Sequence, residues 1–281
     1  MIGVNYERHG AGSPLVLLHG IGHRWQAWRP VLDRLAERHD VIALDMPGFG
    51  LSPALPPGAV YDVATSMDVL TEVFATLGLD RPHLAGNSLG GLLAVEAASR
   101  GLVASATALS PAGFWTTRDR ARALATLRAL RASALAPGFV TSMILDSPRL
   151  RARSLHVLYE HPERIDRLTA LGDTAALRGS AAFRPTLRAG RRYAWAGVPP
   201  TVPLTIAWGE RDRILPPRQA QRAARLLPEA HHVTLPGCGH VPMIDDPALV
   251  ATTILRTCAR AEAVPEAAPE PEPEAPPRVR P

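Results

Sequence analysis

The chain is 281 residues long and 46% hydrophobic, enough for a sizeable core in one large domain. Its net charge is +5 and all 31 basic residues are arginine, a usage that points to base-composition bias in the encoding genome. Because the arginines are scattered through helical patterns and not stacked in one patch, nucleic-acid binding is not expected. The only two cysteines, Cys238 and Cys258, make neither a disulfide framework nor a metal-ligand set, which fits a reducing cytoplasm. The start, Met1 to Arg8, does not read as a signal peptide, and no apolar run approaches the ~20 residues of a membrane span.

In chain order, Pro14 to Leu18 is a continuous apolar run and reads as a strand buried on both faces, ending in His19-Gly20-Ile21-Gly22. A helix is expected from Trp25 to Arg38, with Trp28, Val31, Leu32 and Leu35 on one face. Asp40 to Asp45 is the next strand, closed by Met46-Pro47-Gly48-Phe49-Gly50, and a helix follows from Tyr61 to Leu77. The run ending at Asn87 is a third strand, with a helix reaching Arg100, and Val103 to Leu109 is a fourth. Strands alternating with helices at this spacing predict a doubly wound, mostly parallel α/β sheet. From 111 to 200 the rhythm breaks into helix patterns, among them 118–135 and 146–158, read as a helical insertion over the sheet. The sheet resumes at Val202 to Trp208. A helix over 218–227, a strand at His231 to Leu235 and a helix over 248–260 complete it. The stretch 261–281 is Pro, Ala and Glu with two Arg, has almost nothing to bury, and is expected to be a disordered tail.

The chemistry centres on Gly86-Asn87-Ser88-Leu89-Gly90, a Gly-x-Ser-x-Gly between a strand and a helix. Small residues two before and two after Ser88 let the strand and helix close on each other, so that its hydroxyl stands clear of the sheet. The Leu89 amide, in the first helical turn, would point at the oxygen of any carbonyl that Ser88 attacks. Two later strand ends carry further candidates, Trp208-Gly209-Glu210-Arg211-Asp212 and Gly237-Cys238-Gly239-His240.

With these motifs in order, the chain from about Leu15 to Ala259 resembles the α/β-hydrolase family. The resemblance rests on His19-Gly20, the Asp-x-Pro-Gly-x-Gly-x-Ser of Asp45 to Ser52, the elbow at Ser88, and Gly239-His240 near the end. It implies a core of residues 1–110 and 201–260, with 111–200 as a helical cap inserted after the sixth family strand. It also implies a triad in the order Ser88, Asp212, His240: nucleophile, orienting acid and general base. The backbone amides of Ile21 and Leu89 would form the oxyanion hole. Glu210 should point elsewhere; Asp45 braces the turn after it; His19 is a structural loop histidine; His23 is a candidate for the pocket entrance. Trp25 and Trp28 are core or pocket wall, Cys238 is a small buried filler, and Asp245 and Asp246 open the final helix.

A serine at the elbow argues against the epoxide-hydrolase and haloalkane-dehalogenase branches, which place an aspartate there. The expected activity is hydrolysis of a carboxylic ester through an acyl-enzyme. The alternatives are a carbon–carbon hydrolase of ring-fission products, which the elbow also resembles, a thioesterase, a haloperoxidase-like member, and a non-catalytic binding protein. The expected partners are a small, largely apolar acyl substrate and water; no metal or organic cofactor is implied. Phe114, Trp115, Leu135, Phe139, Met143, Ile144, Leu158, Phe183 and Trp195 are candidates for the acyl pocket. The Arg-rich helix at 118–131 reads first as a solvated face and second as an attractor for a carboxylate or phosphate.

Overall fold

The computed structural model describes residues 3–263; the expected tail from residue 264 onward lies outside the described residues. Among the described residues, seven strands form one sheet in the order β1-β3-β2-β4-β5-β6-β7. They are β1 (Tyr6–His9), β2 (Ser13–Leu18), β3 (His39–Leu44), β4 (His83–Asn87), β5 (Ser105–Leu109), β6 (Leu204–Gly209) and β7 (His231–Leu235). All neighbours pair in parallel except β1, which runs antiparallel to β3 at one edge. The parallel pairing requires crossovers, and helices supply them on both faces. The sheet, its mostly parallel pairing and the flanking helices are those the alternating pattern predicts.

β2 shows why its run is unbroken. Leu15 and Leu17 face one core cluster, Val16 and Leu18 the other, and all four are fully buried. One cluster is built by α1 (Arg29–Ala36) and α11 (Pro247–Glu262), the other by α2 (Val63–Thr76), α3 (Leu89–Ser99) and α9 (Arg218–Leu226). No helix among the described residues is long and apolar enough to cross a membrane.

Between β5 and β6 lie α4 (Thr117–Ala134), α5 (Gly138–Asp146), α6 (Pro148–Leu155), α7 (Arg167–Gly179) and α8 (Phe183–Ala189). The start of α4 is fixed by a reciprocal cap between Thr116 and Asp119, and Arg218 of α9 grips the same carboxylate through Nε at 3.0 Å.

Several expectations need correction. The helix expected over 146–158 is two helices: Ser147 is extended and caps the second, and Pro148, with no N–H to give, opens it. The helix expected from Trp25 is a 3-10 turn over Trp25–Trp28 before α1, whose second residue is Pro30. β1 carries no apolar signal because it is a short, mostly exposed edge strand. α10 (Pro242–Asp245) is one turn long, too short for a period. α11 reaches Glu262, two residues past the expected boundary with the tail.

Candidate active site

β4 ends at Asn87 and α3 begins at Leu89, so Ser88 must turn the chain alone. It does so at φ +57°, one of three positive-φ non-glycine residues in the described chain. Such a conformation costs about 1–3 kcal/mol and persists only where the surroundings impose it. Here the Ser88 amide donates to the Leu109 carbonyl at 2.9 Å, and the Ser88 carbonyl accepts from Leu92 at 2.9 Å and Ala112 at 3.1 Å. The flanking glycines are obligatory. A Cβ on Gly86 would overlap the Gly90 carbonyl, and one on Gly90 would overlap the Leu18 carbonyl. The loop after β2 closes on the same point, since a Cβ on Gly20 would stand 3.3 Å from that of Ser88.

Asp212, after β6, and His240, after β7, meet each other. His240 Nδ1 is 2.7 Å from Asp212 Oδ2, and both side chains are buried. The other carboxylate oxygen, Oδ1, accepts the amides of Ile214 and Leu215, each at 2.8 Å. A carboxylate so loaded is an acceptor on every side, which assigns the imidazole proton to Nδ1 and leaves Nε2 basic. The backbone of His240 is held by three parts of the fold. Asn87, next to Ser88, donates its side-chain amide to the His240 carbonyl at 2.9 Å. The Leu158 carbonyl, from the helical insertion, accepts the amides of His240 at 2.9 Å and Val241 at 3.1 Å. Asp245 accepts the amides of Gly239 at 2.7 Å, His161 at 2.8 Å and Glu160 at 3.1 Å.

Asp245 therefore does not open the final helix as expected. Only Asp246 does, accepting from Leu249 at 2.9 Å; the turn of α10 swings Asp245 inward to fasten the His240 loop to the insertion. Asn87 and Asp245 are the positioning residues that the linear reading missed. Asn87 sat inside the elbow motif, but its partner lies 153 residues away.

The other candidates fall as follows. Glu210 points away, its carboxylate accepting the Gly237 amide at 3.2 Å and pairing with Arg211 at 3.6 Å. Asp45 accepts from Trp25, Asn5 and Leu51 at 2.7–2.9 Å and so ties three loops together. His19 is wholly buried, with Nδ1 on the Gly20 carbonyl at 2.7 Å and Nε2 accepting the Met46 amide at 3.0 Å. Burial holds its pKa down to about 4, opposed in part by the Gly20 carbonyl and Asp45. His23 lines a chamber of about 150 Å³ beside the turn and meets the Tyr159 hydroxyl at 3.3 Å. Trp28 is core, while Trp25 is half-buried under Arg29. Cys238 is fully buried, and burial pushes its thiol up to about 12.

Ser88 opens into a cavity of about 390 Å³. Ile21 and Leu89 line it on the Ser88 side, and their amides donate to no protein acceptor among the described residues. The remaining wall is mostly apolar, with Phe49, Leu92, Leu124, Leu127, Leu187 and Trp115, and also carries Asp62, Ser66, Thr186, Arg192 and Tyr193. Of the apolar residues expected from the insertion, Trp115 alone reaches this cavity. Ile144, Leu158 and Phe183 line the smaller chamber, Phe114 and Trp195 stack on each other at 5.7 Å, and Leu135, Phe139 and Met143 are exposed.

Comparison with known proteins places the fold in a family. A family model described as "Alpha/beta hydrolase family" matches residues 15–253. An uncharacterized protein of Mycobacterium tuberculosis is 31% identical over 253 residues, covering 85% of this chain and 73% of its own. The 2-hydroxy-6-oxo-2,4-heptadienoate hydrolase of Pseudomonas putida is 41% identical over 102 residues, 35% of this chain and 37% of that enzyme. Among solved structures, a bacterial membrane phospholipase A superposes with a TM-score of 0.71 at 27% identity, covering 93% of this chain and 84% of that one.

Proposed function

This chain belongs to the alpha/beta hydrolase family, and we propose that within it the chain is a serine hydrolase cleaving carboxylic esters of small, largely apolar acyl groups. The observation that carries this reading is Ser88, held at positive φ in the wall of a mostly apolar cavity, with a buried His240–Asp212 pair fastened to the residue beside it. Ser88 Oγ attacks the ester carbonyl while His240 Nε2 takes its proton. Asp212 holds the imidazole in the required tautomer and offsets its positive charge. The oxyanion forms between the amides of Ile21 and Leu89, where one donor is typically worth about 3 kcal/mol of barrier. The intermediate collapses as His240 gives its proton to the leaving alkoxide. Water, deprotonated by His240, then releases the acid from Ser88. Residues 111–200 act as the cap that shapes the acyl cavity and keeps bulk water from it.

A fluorophosphonate probe tests the nucleophile. Wild type is labelled and Ser88→Ala is not; absence of labelling on well-folded wild type overturns the assignment. A panel of p-nitrophenyl esters graded by acyl length then reads the cavity. A second reading, hydrolysis of a carbon–carbon bond in a ring-fission product, is favoured by the partial similarity to the P. putida enzyme. Turnover of a 2-hydroxy-6-oxo-dienoate with no activity on the esters would reverse the order of the two.

A further inference from the structure

At the end of the sheet opposite the elbow, two strands begin with a buried histidine. His39 opens β3, His83 opens β4, and β2 lies between them. The rings meet edge to face with centroids 5.4 Å apart. Cys258 and Glu262, at i and i+4 on α11, share one face of that helix. Donor atoms of His39, His83 and Cys258 all lie within 4.8 Å of one another. Glu262 Oε1 stands 3.4 Å from His83 Nε2.

The surroundings orient these groups as a metal site requires. His39 Nδ1 meets the Ser13 hydroxyl at 2.9 Å, and His83 Nδ1 meets the Ser105 hydroxyl at 2.8 Å. With both Nδ1 atoms engaged, Nε2 is the remaining nitrogen on each ring, and that of His83 already faces Glu262 Oε1 at 3.4 Å. Ser13 also donates to Glu262 Oε1 at 2.6 Å, so one hydroxyl positions a histidine and the carboxylate together. When His83 carries its proton on Nδ1, its Nε2 lone pair faces a carboxylate oxygen, an arrangement that a cation between them relieves.

We propose that His39, His83 and Cys258, with Glu262 as fourth donor, form a structural binding site for a zinc-class divalent cation. Two imidazoles, a thiolate and a carboxylate are the donor set such an ion takes in four-coordinate sites. Bonds of about 2.0–2.3 Å in a tetrahedron put donors ~3.3–3.8 Å apart, so His39, His83 and Cys258, now within 4.8 Å of one another, close by about 1 Å at most on loading, while Glu262 Oε1 already stands 3.4 Å from His83 Nε2. On binding, Cys258 forms a sulfur–metal bond and its thiol proton leaves to solvent; nothing is oxidised or reduced. With four protein donors the site keeps no open position for substrate. His83 precedes Ser88 by five residues of strand, about 16 Å, so the ion acts as a staple between the last helix and the starts of β3 and β4. These ligands are scattered over 224 positions of the chain and carry no spacing motif, so the two cysteines alone give no sign of the site.

Cobalt chloride tests the site, using the full chain purified without a polyhistidine tag and stripped by chelator. Wild type is expected to bind one Co²⁺ per chain, to show a thiolate-to-cobalt charge-transfer band with tetrahedral d–d bands, and to melt at a higher temperature when loaded. Cys258→Ser loses the band, and Cys238→Ser keeps it. Glu262→Gln, at a half-exposed position where misfolding is not expected, weakens binding at least tenfold while keeping the thiolate band. Folded wild type with no stoichiometric cobalt, a band that survives Cys258→Ser, or affinity unchanged by Glu262→Gln each overturns the four-donor assignment.

Discussion

Asp212→Asn separates the roles of the two carboxylate oxygens. Oδ1 accepts two backbone amides at 2.8 Å, and Oδ2 faces His240 Nδ1 at 2.7 Å. The asparagine oxygen must occupy the Oδ1 position, because an NH₂ there would oppose two N–H groups, whereas at Oδ2 it opposes one. The NH₂ therefore points at His240 and forces the ring to accept through Nδ1 and carry its proton on Nε2. That is the tautomer that cannot take a proton from Ser88. The expected loss is about 10⁴ in kcat, or about 5 kcal/mol, the size of effect that a wrong tautomer produces in a serine triad. Folding should change far less, by about 1–2 kcal/mol, since both backbone amides keep an acceptor. Steady-state kinetics on the preferred p-nitrophenyl ester, with a thermal melt on the same sample, reads both quantities. A folded Asp212→Asn whose kcat stays within about tenfold of wild type refutes the assignment of Asp212 as the orienting acid.

Three further perturbations probe the frame around the site. His19 is held neutral by burial at a pKa of about 4, against an ordinary 6.5, so the unfolded chain takes up a proton before the folded one. Its contribution is complete above about pH 6.5 and declines as pH falls toward 4, by at most about 3 kcal/mol; nitrogen-resolved NMR should find its ring still neutral at pH 5.5, and protonation by that pH would contradict the burial argument. Gly86→Ala drives a Cβ into the Gly90 carbonyl, backbone against backbone, and should cost about 3 kcal/mol or more in a urea titration; an unchanged midpoint would show that the elbow can widen. Leu124→Trp fills part of the 390 Å³ cavity and should shift the ester preference toward shorter acyl chains, with labelling by a small fluorophosphonate kept; an unaltered chain-length profile would place the acyl group elsewhere.

Continuous apolar runs were enough for the buried strands of the sheet. Strands buried on both faces have no polar alternation to confuse the reading, and β2 and β4 fall within a residue of where their runs predict. Elements with weak or short patterns were not legible: the exposed edge strand β1, the single turn α10, and the break at Ser147-Pro148 in the insertion. The acyl-pocket candidates divided the same way. Composition picked out bulky apolar residues, but a helix in the insertion buries one face against its neighbours and turns another to solvent, and side-chain type alone does not say which. Trp115 reaches the cavity, while Phe139 is exposed and Phe114 is packed under Trp195.

The sequence by itself determined the elbow, because Gly86 and Gly90 answer to local backbone crowding and Ser88 to a conformation confined to a single turn. It also determined the order Ser88, Asp212, His240 in which the proposed nucleophile, acid and base follow. Tertiary structure alone decided what holds the base in place, since Asn87, Leu158 and Asp245 reach the His240 loop from three separate elements. It alone brought His39, His83 and Cys258 together at the far end of the sheet. Those contacts depend on strand order and helix docking, long-range properties that spacing along one chain does not encode.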